Sequence, residues 1–363
     1  MDWNRRQLLQ LGGAALAAGT LPALAEPADT GSAIIKPKRL KEGDVVGLIS
    51  PASATFRKQR AEIARENMAA LGLRVQFGDH LFDRYGSLGG RDEDRAADIN
   101  HFFGDSEVRA VLAQGGGWGC NRLLPLLDYD LIRKNPKIVM GFSDITGLLL
   151  GIHAKTGLVT FHGQTGGSSW SEFSTDYAKR LIFDGEAVTM RNRISEEDRL
   201  VQVENRVLTI TSGTARGRLI GGNLTILTTL MGSDYLPDFN GCILFVEDLN
   251  EQVYRIDRML TQLKLAGVLD RIAGFVFGRC TRCDPGDGYG SLTLEQVFDD
   301  HVAPLGIPAW YGSMIGHIKH QFTVPLGIEA EIDADEGTIK HARLSSAFSR
   351  SAVEPWLDGW WNP

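Results

Sequence analysis

Ser143 stands in Gly141-Phe142-Ser143-Asp144, between the apolar run Ile138-Val139-Met140 and an apolar stretch with helical spacing from Ile145 to Lys155. A serine at such a strand-to-helix turn carries its hydroxyl on a sharp bend with helix N–H groups converging nearby, the geometry of a nucleophile elbow. The second glycine of G-x-S-x-G is missing, because Ile145 takes its place. The same turn therefore also suits a serine that merely caps the helix, with Asp144 complementing the helix dipole.

An activated serine needs a base, and the base needs an acid to orient it. Glu247 ends the apolar run Cys242-Ile243-Leu244-Phe245-Val246, where a carboxylate at a strand end is either an orienter or a solvated surface acid. His317 follows Gly316 in a loop-like segment before Val324-Pro325-Leu326-Gly327, which makes it one candidate base among the chain's eight histidines. Gly115-Gly116-Gly117-Trp118-Gly119 follows an apolar run ending at Ala113, so its N–H groups can approach a developing oxyanion unobstructed. A phosphate cradle is the rival use, but the Walker Lys-Ser/Thr is missing and G-x-G-x-x-G does not fit in register. Cys280-Thr281-Arg282-Cys283 is a lone C-x-x-C without a second pair at zinc spacing, and it reads as a strand-end pair, reduced or locally bridged.

The elements that must position these residues follow from periodicity. Strands are expected over 45–49, 74–77, 108–113, 138–140, 242–246 and 274–277. Helices are expected over 57–71, 92–103, 123–134, 145–155, 224–231, 253–266 and 294–302. Strands alternating with helices in the first half give an α/β, doubly wound, mostly parallel sheet, followed by a smaller α/β or β-rich C-terminal domain. Residues 166–206 are polar and irregular in pattern, as an interdomain segment would be. The organisation expected is a leading arm over 26–40, an N-terminal α/β domain that contains Ser143 over 41–168, an interdomain segment over 169–215, a C-terminal domain that contains Glu247 and His317 over 216–350, and a tail over 351–363. Trp356, Trp360 and Trp361 in that tail suit burial against a partner or against the same chain.

A length of 363 residues, 43% hydrophobic and 23% charged, excludes a disordered, collagen-like or multi-span membrane chain. The net charge of −7, without a long basic run, argues against a nucleic-acid groove. Residues 1–25 read as a twin-arginine (Tat) signal peptide: Arg5-Arg6, a weakly apolar stretch from Leu8 to Leu21, and an Ala23-Leu24-Ala25 cleavage triplet. The apolar stretch is shorter than the ~20 residues that span a bilayer. The expectation is a periplasmic protein with no stable membrane span after cleavage.

Several segments in this order resemble the LD-carboxypeptidase family of serine peptidases, which includes muropeptide LD-carboxypeptidases and microcin C immunity peptidases. They are Gly116-Gly117-Trp118-Gly119 with Arg122-Leu123-Leu124-Pro125, Gly141-Phe142-Ser143-Asp144-Ile145-Thr146, Gly221-Gly222-Asn223-Leu224, Phe245-Val246-Glu247-Asp248 with Tyr254-Arg255-Ile256-Asp257-Arg258, and Gly316-His317 with Pro325-Leu326-Gly327. The resemblance implies Ser143 as nucleophile, His317 as general base and then acid, and Glu247 as the carboxylate fixing the imidazole. It further implies an oxyanion hole from the backbone of Gly117 and Asp144, substrate contact at Gly116 and Trp118, a homodimer, and neither metal nor cofactor. The implied reaction is hydrolysis of the amide joining the L-centre of a diamino acid to terminal D-Ala in murein tetrapeptides, with a pocket that binds the D-Ala carboxylate through N–H groups or a cation. Gly115 stands where many muropeptide members carry Arg. The alternatives are a related amidase acting on aminoacyl-nucleotides or other peptide amides, and a periplasmic peptide-binding protein without catalysis.

Overall fold

The computed structural model describes residues 33–195, 197–198, 200–283 and 290–342. The export segment expected around Arg5-Arg6, residues 284–289, and Trp356, Trp360 and Trp361 lie outside the described residues. In chain order the elements are β1 (Val45–Ile49), α1 (Lys58–Ala70), β2 (Arg74–Phe77), α2 (Asp92–Gly104), β3 (Val108–Ala113), α3 (Tyr129–Lys134), β4 (Ile138–Gly141), α4 (Ile145–Thr156), β5 (Thr160–His162), α5 (Glu172–Ile182), β6 (Thr189–Arg191), β7 (Leu208–Thr211), β8 (Thr214–Asn223), α6 (Leu224–Thr229), β9 (Ile243–Leu249), α7 (Val253–Leu265), β10 (Gly274–Thr281), α8 (Leu294–His301), β11 (Ala309–Tyr311), β12 (Val324–Leu326), β13 (Glu329–Asp333) and β14 (Thr338–His341).

Two sheets organise the chain. The first has the order β12-β5-β4-β3-β1-β2, and β1 to β5 run parallel. Its central strands are covered by helices on both faces, so β1 and β4 are apolar along their whole length and buried at every position. The second sheet has the order β6-β14-β13-β8-β9-β10-β11-β7, with a parallel centre from β8 to β11 and antiparallel flanks. The chain returns from the second sheet to lay β12 antiparallel against β5, so residues 324–326 complete the first sheet.

Two local expectations fail for physical reasons. The single helix over 123–134 is a 3₁₀ turn, Cys120–Leu126, followed by α3. Pro125 sits inside that turn, and Asp128 restarts the chain as a helix by accepting the Leu131 N–H at 2.9 Å. The segment read as irregular over 166–206 contains α5, whose Ser171 cap accepts the Ser174 N–H, and β6, which joins the second sheet. Ser174, Ala178, Leu181 and Ile182 form the buried stripe of α5, while Glu172, Lys179 and Arg180 give it polar composition. No described helix is long and apolar enough to cross a membrane.

Both parallel sheets present the carboxyl ends of their strands to shared ground, where open α/β sheets bind ligands. The Asn223 N–H at the end of β8 donates to Thr146 Oγ1 in the first turn of α4 at 3.0 Å. Asn121 Nδ2 donates to Thr229 Oγ1 at 2.8 Å. Those bonds tie the end of β8 and α6 to the segments that flank Ser143.

Candidate active site

Ser143 occupies the turn between β4 and α4 with φ of 64°, in the left-handed region that a non-glycine residue rarely adopts. A positive-φ residue on a sharp strand-to-helix turn is the backbone geometry of a nucleophile elbow. Asp144 does not cap α4 with its side chain. Its carboxylate is buried, where desolvation raises its pKa, and accepts the Cys120 N–H at 2.9 Å. This bond fastens the end of the glycine loop to the start of α4.

The loop consequently lies against the serine. A Cβ added to Gly116 would stand 2.9 Å from Ser143 Cβ and 3.1 Å from its Oγ, so a side chain there would press on the hydroxyl. Gly117 has φ of 126°, and Trp118 is 59% exposed at the loop surface. The loop is also held to the segment after β1, because the Ser53 N–H donates to Gly116 O at 3.3 Å.

Glu247 arrives from the second sheet, on β9, and is fully buried. Its Oε2 lies 2.8 Å from His317 Nδ1, and its Oε1 accepts from Asn223 Nδ2 at 3.3 Å. Gly316 permits that contact, since a Cβ there would stand 2.7 Å from Glu247 Oε2. Burial lowers the His317 pKa, but the Glu247 hydrogen bond and the charges of Glu247 and Asp248 outweigh it, so the net position is above the ordinary value of 6.5. The imidazole packs on the Phe142 ring with centroids 4.9 Å apart, and Thr281 Oγ1 donates to His317 O at 3.1 Å. With Nδ1 engaged by Glu247, Nε2 is the ring nitrogen free to take a proton.

Glu247 and His317 are thus directly joined. Ser143 reaches them through its neighbour Phe142; among the described residues no hydrogen bond links Ser143 Oγ to the imidazole. Catalytic hydrogen bonds of this kind commonly tighten only when substrate is bound.

The sequence matches the LD-carboxypeptidase N-terminal domain over residues 46–163 and the LD-carboxypeptidase C-terminal domain over residues 216–332. A probable murein peptide carboxypeptidase of Bacillus subtilis is 40% identical over 320 residues, covering 88% of this chain and 97% of that one. The chain belongs to the LD-carboxypeptidase family. Two solved structures of such proteins share the fold. The microcin C7 self-immunity protein MccF in its wild-type apo state has a TM-score of 0.77 at 28% identity, covering 86% of this chain and 100% of that one. The muramoyltetrapeptide carboxypeptidase from Oxalobacter formigenes has a TM-score of 0.70 at 26% identity, covering 82% of this chain and 97% of that one.

This candidate site contains residues that sequence reasoning did not assign. Asn223 Nδ2 bridges Glu247 and Asp248, donating to Asp248 Oδ1 at 3.0 Å while its own Oδ1 caps α6. Asp248 is buried beside Glu247, and desolvation followed by that neighbouring charge pushes its pKa up to about 6. His162, on β5, is fully buried between the Phe142 and Phe245 rings, and burial drives its pKa down to about 4. Neither of its ring nitrogens has a hydrogen-bond partner among the described residues. The available signals are the Asn of Gly221-Gly222-Asn223-Leu224, set between a strand and a helix, and the Asp of Phe245-Val246-Glu247-Asp248. Cys280 and Cys283 form a disulfide with a Cα–Cα separation of 5.4 Å, around the Thr281 that holds the His317 carbonyl. Among the described residues, His80, Asp83 and Asp94 bring ligand-type atoms within 4.8 Å of one another, and none of the three belongs to this site.

Proposed function

We propose that this protein is a serine LD-carboxypeptidase that cuts the amide between the L-centre of a diamino acid and terminal D-Ala in murein tetrapeptides. The observation that carries the reading is the 2.8 Å contact between Glu247 and His317, with the imidazole packed on the residue next to a strained Ser143. His317 Nε2 takes the Ser143 proton as Oγ attacks the carbonyl carbon, and Glu247 steadies the imidazolium that forms. The oxyanion is held by the N–H groups of Gly117 and Asp144, and Gly116 and Trp118 border the substrate. Collapse of the tetrahedral intermediate passes the proton from His317 to the departing D-Ala amine and leaves an ester on Ser143. Water, deprotonated by His317, then releases the tripeptide and restores the serine.

The Arg5-Arg6 segment supports export by the twin-arginine route and action on peptidoglycan fragments in the periplasm, with a homodimer as the working form. A related activity on aminoacyl-nucleotide amides is the second reading, favoured by the structural likeness to MccF. Incubation with murein tetrapeptide, followed by mass spectrometry, tests the choice. D-Ala release supports the first reading. Absence of release across pH 6 to 9, with cleavage of an aminoacyl-nucleotide amide, supports the second.

A further inference from the structure

The first sheet runs from β1 outward to β2 and then crosses back to β3 on the other side of β1. The gap between the ends of β1 and β3 is the switch point where open α/β sheets bind ligands. A cavity of about 390 Å³ opens there, walled by Ser53 after β1 and by Gln114, Gly115 and Gly116 after β3. That volume is at the small end of ligand sites, about 300–1,000 Å³, which suits one amino acid and not a glycan. Gly116 lines this cavity, and a Cβ built on it would stand 3.1 Å from Ser143 Oγ, so the cavity adjoins the serine.

The charge on the wall is of one sign. Arg57 and Arg60, at the start of α1, are the charged side chains lining the cavity. Both are exposed, and among the described residues neither guanidinium has a hydrogen-bonded or ion-paired acceptor. Two cations at a helix N-terminus with no acid in the first turn oppose the helix dipole, so they do not serve the stability of α1. Gln114, 5% exposed, lines the same cavity. No atom lies within 4 Å of where a Gly115 Cβ would stand, so that part of the wall is open.

We propose that this cavity is the subsite for the terminal carboxylate of the leaving D-amino acid, gripped by Arg57 and Arg60 with the Gln114 amide beside them. The assignment rests on the LD-carboxypeptidase reading above. It makes the enzyme an exopeptidase by charge, since a residue extended at its C-terminus, or an amide, leaves both guanidinium groups unmatched.

The test is calorimetric binding to the Ser143→Ala protein, with and without Arg57→Gln and Arg60→Gln, using three peptides. These are the diaminopimelate tetrapeptide, its C-terminal carboxamide, and the lysine tetrapeptide, which keeps the terminal carboxylate and lacks the side-chain one. Turnover on the serine-containing enzymes is measured in parallel, and circular dichroism checks the fold. The expected result is that the arginine changes weaken the diaminopimelate and lysine tetrapeptides about tenfold or more, the discount for exposure included, and leave the carboxamide unchanged. Equal loss on all three peptides, no loss on any, or loss confined to the diaminopimelate peptide overturns the assignment. Arginine-dependent preference for the free acid without turnover of any peptide would retain the subsite and refute the hydrolytic reading.

Discussion

Replacing Glu247 with Gln separates an orienting carboxylate from a merely structural one. The carboxylate accepts from two donors, His317 Nδ1 at 2.8 Å and Asn223 Nδ2 at 3.3 Å. A glutamine offers one acceptor and one donor in the same space. If its oxygen faces His317, its NH₂ meets the NH₂ of Asn223, a buried donor pair costing about 1–3 kcal/mol. If its NH₂ faces His317, Nδ1 must accept, the ring proton moves to Nε2, and the imidazole can no longer take the Ser143 proton. Either arrangement slows turnover, by about 10³- to 10⁴-fold when the tautomer is wrong. The pH profile carries the sharper sign. In the natural enzyme His317 sits above its ordinary 6.5, and only the neutral ring is a base, so activity should rise with pH through a midpoint above that value. In the variant both contributions of Glu247 are gone, while burial still lowers the pKa and the Asp248 charge still raises it. The acid limb of residual activity should then move to lower pH than in the natural protein. D-Ala release measured from pH 4.5 to 9 reads both quantities, and an acid limb at the same pH in the two proteins would refute the orienting role.

Three further outcomes follow from the geometry. Gly116→Ala should lower kcat/KM about 10- to 100-fold with little change in thermal midpoint, because its Cβ would press on the Ser143 side chain; full activity in that variant would mean the serine does not use this wall. Asn223→Ala should lower both the thermal midpoint and kcat, since it removes the cap of α6 and leaves Glu247 and Asp248 side by side without their bridging donor; the cap alone is worth about 1 kcal/mol, readable by chemical denaturation. His162 should remain neutral from pH 5 upward, its pKa being held near 4 by burial; a ring titration near pH 6.5 by NMR would show it to be solvated instead.

What could be read from the chain before any coordinates depended on how local the cause was. β1 has the expected bounds because a continuous apolar run with Asp44 before it and Ser50-Pro51 after it leaves little choice, and β3 because a single exposed Arg109 interrupts an otherwise apolar run; β2, Arg74-Val75-Gln76-Phe77, has its expected bounds too, set by Gly72 and Gly78 on either side. The turn at Ser143 was legible for the same reason, an apolar strand and an apolar helix separated by three residues. The break at Pro125 and the cap at Asp128 were present in the sequence but hidden under a continuous helical pattern. Helix α5 was hidden by its composition, since a short buried stripe among Glu, Lys and Arg resembles a loop. At the site, Glu247 and His317 stood out only through family likeness, being 70 residues apart and joined by a tertiary contact. Asn223, Asp248 and His162 carried still less signal. Their roles come from which strand ends meet, and no spacing along the chain encodes that.

The central claim is that the Ser143 hydroxyl is the attacking group. Turnover of murein tetrapeptide by the Ser143→Ala protein tests it most directly, with D-Ala counted by mass spectrometry and folding checked by circular dichroism. The account predicts a folded protein that still binds the peptide and whose kcat falls by about 10³-fold or more. Wild-type rates of D-Ala release from that variant would contradict it.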